Sequence, residues 1–176
     1  MTALDRPALT LTLNVHIRLA QKSDLSKMEW GGQFAHFRNL FRRAFREQLQ
    51  GRRMMLVADL NNYPVGHIFV QFRSSNTHIA DGRRRGYLYS FRVMDLLQGQ
   101  GIGTRLIHEA EQRLLERGFS EVTIAVAKDN DGALRLYERQ DYHKFAEDPG
   151  NWSYVDQKGY THHVEEPCWL LKKRMV

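Results

Sequence analysis

The sequence has little of what marks several common protein classes. Its single cysteine, Cys168, excludes an internal disulfide and suits a reducing compartment such as the cytoplasm. No apolar run reaches the roughly 18 residues that a membrane-spanning helix needs. Residues 1–12 lack the continuous apolar segment of a secretory signal. We therefore expect a cytoplasmic protein without a membrane partner.

Metal-binding patterns are also missing. The chain has eight histidines, of which only His162 and His163 are adjacent, and neighbours on a strand point to opposite faces. No cysteine or histidine cluster has metal-site spacing, so no metal is expected. The net charge of +6 suits nucleic acid, an anionic surface or a polyanionic cofactor. Because the arginines are spread along the chain, nucleic acid is not the expected partner.

Length and composition are those of one globular domain. The chain has 176 residues, 42% hydrophobic and 26% charged, which is enough to bury a core. It contains no internal repeat, low-complexity tract or linker. We expect an N-terminal extension over residues 1–12, which need not be well ordered, and a single domain over residues 13–176.

The spacing of apolar residues predicts an α/β chain with a mixed sheet. Alternation predicts a first strand over Leu11–Leu19, and Ser23-Asp24 starts a short helix that runs to Trp30. Apolar residues three and four apart predict a longer helix over Gln33–Gln50. The other predicted elements are strands over Arg53–Leu60, Val65–Phe72, Tyr87–Met94 and Glu121–Ala127, helices over Ile102–Arg117 and Asn130–Gln140, and strands over Tyr142–Phe145 and Val164–Leu171.

A glycine-rich turn, Gln98–Thr104, links a predicted strand to a predicted helix. Its three glycines let the backbone turn sharply and bring its N–H groups close to a ligand. The first amides of the following helix lack intrahelical partners, and the helix dipole favours an anion there. The turn therefore predicts a cradle for a pyrophosphate. It is not a P-loop, because Ile102 and Gly103 follow Gly101 where Lys and Ser or Thr are needed, and its glycine spacing is not that of the dinucleotide fingerprint.

A third pattern fits the turn. Gln98-x-x-Gly101-x-Gly103 matches, at every fixed position, the acyl-CoA-binding motif of the GNAT superfamily of N-acetyltransferases. With Val93 five residues earlier, the segment from Phe91 to Leu106 resembles the strand, loop and helix of that family. The resemblance covers residues 15–173. It implies a GNAT-like α/β fold, a mixed and mostly antiparallel central sheet flanked by about four helices, and acetyl-CoA as cofactor.

A second segment, Asn130 to Tyr137, resembles the family's Asn, then Ala, then Leu-Tyr segment. The resemblance implies that Asn130 contacts the pantetheine arm and that the Tyr137 hydroxyl donates to the departing CoA thiolate. With a reference pKa near 10, a tyrosine keeps its proton at pH 7. The alternative is that Tyr137 is a core aromatic residue. The chain departs from the family at Asp141-Tyr142, where Gly-Phe is usual.

The resemblance also implies a set of site residues. Those implied for the cofactor are Phe91, Arg92, Val93, Gln98, Gly99, Gln100, Gly101, Ile102, Gly103, Thr104, Asn130 and the catalytic Tyr137, and those implied for the amine acceptor are Trp30, Phe34, Tyr89 and Ser90. Many family members carry a carboxylate on the fourth strand, where this chain has Tyr89 and Ser90. The amine proton could leave through water, through an acid such as Glu29 or Asp141, or from an acceptor of low amine pKa.

The sequence therefore favours an acetyl-CoA-dependent N-acetyltransferase that moves an acetyl group directly to a primary amine of a small molecule or peptide. The alternatives are a protein N-terminal acetyltransferase of the ribosomal-protein kind, a non-catalytic acyl-CoA-binding sensor, and a basic nucleic-acid-binding module. The acceptor and the acyl chain stay open. Exposed edge strands would permit a homodimer.

Overall fold

The computed structural model describes residues 9–176, so residues 1–8 of the predicted extension lie outside the described part of the chain. In chain order its strands are β1 (His16–Leu19), β2 (Arg53–Leu60), β3 (Tyr63–Gln71), β4 (Arg85–Val93), β5 (Glu121–Ala127), β6 (His143–Asp148), β7 (Asn151–Val155), β8 (Thr161–Glu165) and β9 (Cys168–Arg174). The α-helices within these residues are α1 (Asp24–Lys27), α2 (Arg38–Leu49), α3 (Ile102–Glu116) and α4 (Asp131–Glu138), and single turns of 3-10 helix cover Ala35–Phe37 and Asp95–Leu97.

The described strands form one large sheet and one hairpin. Seven strands pair in the order β1-β2-β3-β4-β5-β9-β6, and β7 pairs only with β8. Every neighbouring pair is antiparallel except β4 and β5, which are parallel. The predicted mixed and mostly antiparallel sheet with about four flanking helices is therefore confirmed.

Helices cover both faces of the sheet, because alternate residues of its strands point to opposite sides. On β2, Met54 and Leu56 belong to the larger apolar core, which contains the buried side of α3. The intervening Met55 and Val57 belong to a smaller core with Phe41 of α2. We call these the α3 face and the α2 face.

Three predicted elements differ from the structure. The first strand is confined to β1, and the helix predicted over Gln33–Gln50 begins with a 3-10 turn before α2. The strand predicted over Val164–Leu171 is two strands, β8 and β9, divided at Glu166-Pro167. Proline has no N–H to donate to a ladder, and β8 belongs to the hairpin rather than to the main sheet. Most residues of β7 and β8 are exposed, so no periodic apolar pattern marked β7.

A gap opens in the middle of the sheet between β4 and β5. These strands pair only from Arg85–Leu88 to Glu121–Ile124, and the rest of each strand has no ladder partner across the gap among residues 9–176. Opposite β3, the register of β4 slips by one residue around Ser90, whose φ is +49°. Such a bulge bends its strand and increases the local twist, which turns β4 away from β5.

Candidate active site

A cleft of about 570 Å³ lies at this gap and reaches both faces of the sheet. Its lining on the α3 face includes Asn130, Ala133 and Tyr137, and its lining on the α2 face includes Phe37, Leu40 and Phe41. The loops around β6, β7 and β9 add Asp148, Gly150, Asn151, Glu166 and Cys168. One wall of the cleft therefore includes Phe91 and the second sequence motif, and the other comes from distant parts of the chain.

The glycine-rich turn leaves a row of free backbone donors at the start of α3. Gly99 and Gly101 have φ values of +74° and +83°, a conformation that glycine adopts without strain. No hydrogen bond within residues 9–176 uses the backbone N–H groups of residues 99–104, and no side chain caps the helix. The side chain of Gln98 instead donates to the Val93 carbonyl at 3.0 Å and to Asp95 at 3.1 Å, which folds the turn. Unpaired amides at a helix N-terminus fit the pyrophosphate of coenzyme A.

Close packing brings this turn against β4. A Cβ atom added to Gly103 would lie 3.0 Å from the ring of Phe91. Because only a hydrogen fits comfortably there, the first turn of α3 rests directly on the strand that borders the gap. The sequence motif thus positions both the free amides and the edge of β4.

Tyr137 lies at the wall of the cleft with its hydroxyl unpaired within the described residues. Its side chain is 5% exposed, and its ring centroid lies 6.2 Å from that of Phe91 and 6.1 Å from that of Tyr142. Burial raises the pKa of Tyr137 well above its usual value near 10, so the hydroxyl keeps its proton throughout the neutral range. Asn130 begins α4, where its side-chain oxygen accepts a hydrogen bond from the Ala133 amide at 3.0 Å.

A buried polar network lies next to Tyr137 and includes its neighbour Tyr142. The Tyr142 hydroxyl donates to Glu111 at 2.7 Å, and the Lys173 ammonium donates to the other oxygen of Glu111 at 2.8 Å. Asp141 adopts a φ of +66°, the left-handed conformation for which the family's usual glycine is suited. The departure from Gly-Phe therefore preserves both the turn and the buried aromatic residue.

The four residues predicted for the acceptor lie at different depths. Tyr89 and Ser90 line the cleft, and the Tyr89 hydroxyl accepts a hydrogen bond from Arg53. Phe34 does not line the cleft, but it packs against Arg92, whose guanidinium carbon lies 4.7 Å from the centre of the Phe34 ring. Trp30 does not line the cleft, and its ring N–H donates to the Pro64 carbonyl at 2.8 Å.

Two carboxylates in the cleft were not found by sequence reasoning. Asp148 ends β6 and Glu166 lies between β8 and β9, and both residues line the cleft. Of the acids considered from the sequence, Glu29 is held by Arg38 at 2.6 and 2.8 Å, and neither it nor Asp141 lines the cleft. No local pattern marks Asp148 or Glu166, because strand pairing far along the chain brings them together.

Cys168 also lines the cleft, and it is 8% exposed in β9, as expected from the sequence. Burial, followed by the charges of Asp148 and Glu166, raises the pKa of its thiol. A thiol that holds its proton more tightly is a poorer nucleophile at neutral pH. The direct transfer that the resemblance implied does not require one.

Within residues 9–176, no three histidine, cysteine or acidic side chains are placed to hold a metal ion. No helix in the same range combines the length and the apolar character needed to cross a membrane.

The sheet order, the gap between its two parallel strands and the free amides beside that gap define an acetyltransferase-type fold. Residues 21–142 match the Acetyltransferase (GNAT) family over well more than half of the chain. The chain belongs to this family.

Solved structures confirm the fold. An N-acetyltransferase from Staphylococcus aureus Mu50 superposes with a TM-score of 0.69 at 14% identity, over 92% of this chain and 98% of that one. The ribosomal-protein-S18-alanine N-acetyltransferase from Escherichia coli gives 0.67 at 17% identity, over 92% and 94%. The yncA protein from Salmonella typhimurium, solved with its cofactor acetyl-CoA, gives 0.67 at 17% identity, over 93% and 95%.

Curated relatives are similar over a shorter region. An acetyltransferase from Yersinia pestis (strain Pestoides F) is 33% identical over 89 residues, which are 51% of this chain and 57% of the relative. The chain thus spans little more than half the length of the curated relatives it matches.

Proposed function

We propose that this protein is an acetyl-CoA-dependent N-acetyltransferase that moves an acetyl group directly to a primary amine of a small molecule or peptide. The observation that carries the proposal is the gap between β4 and β5, with the amides of residues 99–104 beside it and the Tyr137 hydroxyl in its wall. Neither the amides nor the hydroxyl has a hydrogen-bond partner within residues 9–176. Membership of the acetyltransferase family and the acetyl-CoA-bound neighbour support the same cofactor.

The chain offers matching groups for each part of acetyl-CoA. The amides of residues 99–104 would hold the pyrophosphate, because they lie at a helix N-terminus and have no hydrogen-bond partner in the described part of the chain. The backbone N–H and C=O groups of residues 91–93 on the open edge of β4, together with Asn130, would hold the pantetheine arm. When bound, the cofactor supplies a thioester that an amine can attack.

Tyr137 would supply the proton that the leaving thiolate needs. As the nitrogen–carbon bond forms and the carbon–sulfur bond breaks, the amine gives up one proton and the sulfur gains one. Burial keeps Tyr137 protonated, so its hydroxyl is a permanent donor at neutral pH. General acid assistance of this kind contributes roughly 10²–10⁴ in rate.

The amine proton needs an acceptor as well. A primary amine with a pKa near 10.4 costs about 4.6 kcal/mol to deprotonate at pH 7, whereas an α-amino group with a pKa near 8 costs only about 1.4 kcal/mol. β4 offers no carboxylate, but Asp148 and Glu166 lie in the cleft. We assign these two as the candidate proton acceptors. Replacing each with its amide tests this, and the replacement that removes the base should lower kcat most at low pH.

The cysteine content and the structural neighbours also support proposals on the cellular compartment and on a second class of acceptor. A single buried cysteine suits the reducing cytoplasm, and we propose that residues 13–176 act there as one catalytic domain. A protein N-terminus is the second acceptor class, because one structural neighbour is a ribosomal-protein-S18-alanine N-acetyltransferase.

The test is thiol release from acetyl-CoA with a panel of amines and N-terminal peptides. Tyr137→Phe should lower acceptor-dependent release by about a hundredfold and leave acetyl-CoA affinity nearly unchanged. Tyr160→Phe, at a tyrosine that is 67% exposed and outside the cleft, is the matched control. Tight acetyl-CoA binding without turnover for any amine would favour a non-catalytic sensor. No acetyl-CoA binding would refute the proposed function.

A further inference from the structure

Arg92 lies in the wall of the cleft, and its guanidinium makes no ion pair with any residue from 9 to 176. It packs over the rings of Phe34 and Phe37, with its central carbon 4.7 and 4.8 Å from their centres. Its hydrogen bond among residues 9–176 is a long one, from Nη1 to the Ser90 hydroxyl at 3.3 Å. A guanidinium carries five N–H donors, so most of those on Arg92 have no protein acceptor in this range.

Other partly buried arginines of the described chain are paired with carboxylates. The pairs are Arg18 with Asp24 and Asp59, Arg38 with Glu29, Arg53 with Glu47, Arg85 with Glu121, and Arg113 with Glu109. Arg92 is also only partly exposed, yet no carboxylate of residues 9–176 lies within 4.0 Å of it. Removing a cation from water without a counter-charge is costly, so this site is incomplete without an anion.

The surroundings of Arg92 cannot supply that anion from its own strands. The residue opposite on β3 is His67, which is fully buried, and neither of its ring nitrogens has a partner within the described chain. Burial lowers the pKa of Arg92, and the charge of Glu166 only partly opposes this effect. Glu166 makes no ion pair with Arg92. The guanidinium is therefore oriented by aromatic packing and open to a ligand in the cleft.

We propose that Arg92 binds a carboxylate of the amine acceptor, so that the acceptor class is an amino acid with an apolar side chain. This assignment rests on the proposed function. A guanidinium matches a carboxylate through two parallel hydrogen bonds, and stacking on aromatic rings fixes its plane in advance. Arg92 was implied by resemblance as a cofactor residue, but its side chain lies on the α2 face with Phe34 and Phe37, away from Tyr137.

The rest of the cleft suits the other parts of such an acceptor. Asp148 and Glu166 place negative charge where a primary ammonium would enter. Apolar surface comes from the aromatic residues that line the α2 side, which are Phe37, Phe41, Phe69, Tyr87, Tyr89 and Trp152. A molecule with an amine, a carboxylate and an apolar group would use all three features at once.

The test compares acceptors that differ only in the carboxylate. L-phenylalanine, L-leucine and L-methionine are each assayed beside their primary amides, with the wild type, Arg92→Gln, Arg92→Lys and the control Arg42→Gln. Arg42 is exposed on α2, lies outside the cleft and makes no ion pair among residues 9–176, so its loss matches the change in net charge. The wild type should prefer the acids over the amides by at least about tenfold in kcat/KM.

Arg92→Gln should abolish that preference by raising KM for the acids about 10- to 100-fold, with little effect on the amides. Arg92→Lys should keep part of the preference, since lysine retains the positive charge but lacks the two parallel N–H donors of a guanidinium. A wild type that uses the amides as well as the acids would overturn the proposal. Equal losses on acids and amides in Arg92→Gln would also overturn it, because they indicate a structural role.

A binding measurement separates this proposal from the proposed function. 3-Phenylpropionate has the carboxylate and the apolar group but no amine, so it can be titrated by calorimetry without any reaction. Binding to the wild type and to Arg42→Gln, with at least about tenfold weaker binding to Arg92→Gln, would support the site even if no amine were acetylated. Acetylation of neutral amines together with no binding of 3-phenylpropionate would leave the proposed function standing and overturn the assignment of Arg92.

Discussion

The two sides of the cleft are built in different ways. The α3 side includes residues of the short segment 130–137, and the glycine turn 98–104 packs beside it against Phe91. Much of what this side offers is backbone N–H groups, one hydroxyl and one amide. The α2 side comes from the start of α2, the bulged end of β4 and the loops that join β6 through β9, and it acts through side chains. A common cofactor can be held by backbone geometry that a short motif encodes, whereas a particular acceptor needs side chains gathered by the whole fold.

The largest expected effect comes from Gly150, which positions the β7–β8 hairpin on the α2 side. It has a φ of +68°, and a Cβ atom there would overlap the carbonyl oxygen of Glu166. Gly150→Ala should therefore displace Glu166 and lower kcat/KM for the amine about a hundredfold, while acetyl-CoA affinity changes less than about twofold. Amine kinetics and calorimetry measure the two quantities.

Gly159→Ala is the matched control for Gly150. Gly159 lies near the tip of the same hairpin with a φ of +90°, but nothing lies within 4 Å of an added Cβ atom. It should show only the strain of a left-handed residue, about 1–2 kcal/mol. If Gly150→Ala weakened acetyl-CoA binding as much as amine use, the two sides would not be separable units.

A second prediction concerns acid sensitivity of the α2 side. Burial, with the nearby charge of Arg92, lowers the pKa of His67 from 6.5 to about 3. The unfolded chain then binds a proton at higher pH than the folded chain, so stability present above pH 6.5 is lost as the pH falls toward 3. At pH 5 this loss is about 2 kcal/mol relative to neutral pH.

Denaturant unfolding at pH 7 and pH 5 measures the effect. His67→Leu should reduce the difference between the two pH values by about 2 kcal/mol, and His163→Gln, at an exposed residue of β8, should not. An unchanged pH difference in His67→Leu would show that acid sensitivity arises elsewhere.

The smallest expected effect lies on the α3 side. Asn130→Ala removes the cap of α4 and should lower the free energy of unfolding by about 1 kcal/mol. Asn130→Asp keeps an oxygen that can accept from Ala133 but loses the amide donor, so stability should hold while acetyl-CoA affinity falls about fivefold. Equal acetyl-CoA affinity in Asn130→Asp and the wild type would reduce Asn130 to a capping residue.

The sequence predicted the α3 side better than the α2 side for physical reasons. The bounds predicted for β2 and β5 from their mostly apolar stretches match those of the structure, and the glycine turn determines its own backbone shape. Asp148 reaches the cleft because β6 pairs with β9, which comes later in the chain, at Cys168. Such long-range pairing leaves no local period, and the mostly exposed β7–β8 hairpin has none either. Arg92 lies within the segment from Phe91 to Leu106 that resembles the family, yet its side chain lies on the α2 side of the cleft.

The gap between β4 and β5 should also make the rate at which the protein is degraded depend on the concentration of acetyl-CoA. It leaves two inner strand edges without backbone partners among residues 9–176, so the folded state has an opening in its own sheet. A ligand that binds only the folded state adds about 2.7 kcal/mol of stability when its concentration is a hundred times its Kd. Proteases act on transiently opened chains, so degradation should slow when acetyl-CoA is abundant and quicken when it is scarce. The amount of this protein in a cell would then follow the supply of acetyl-CoA without any dedicated regulator.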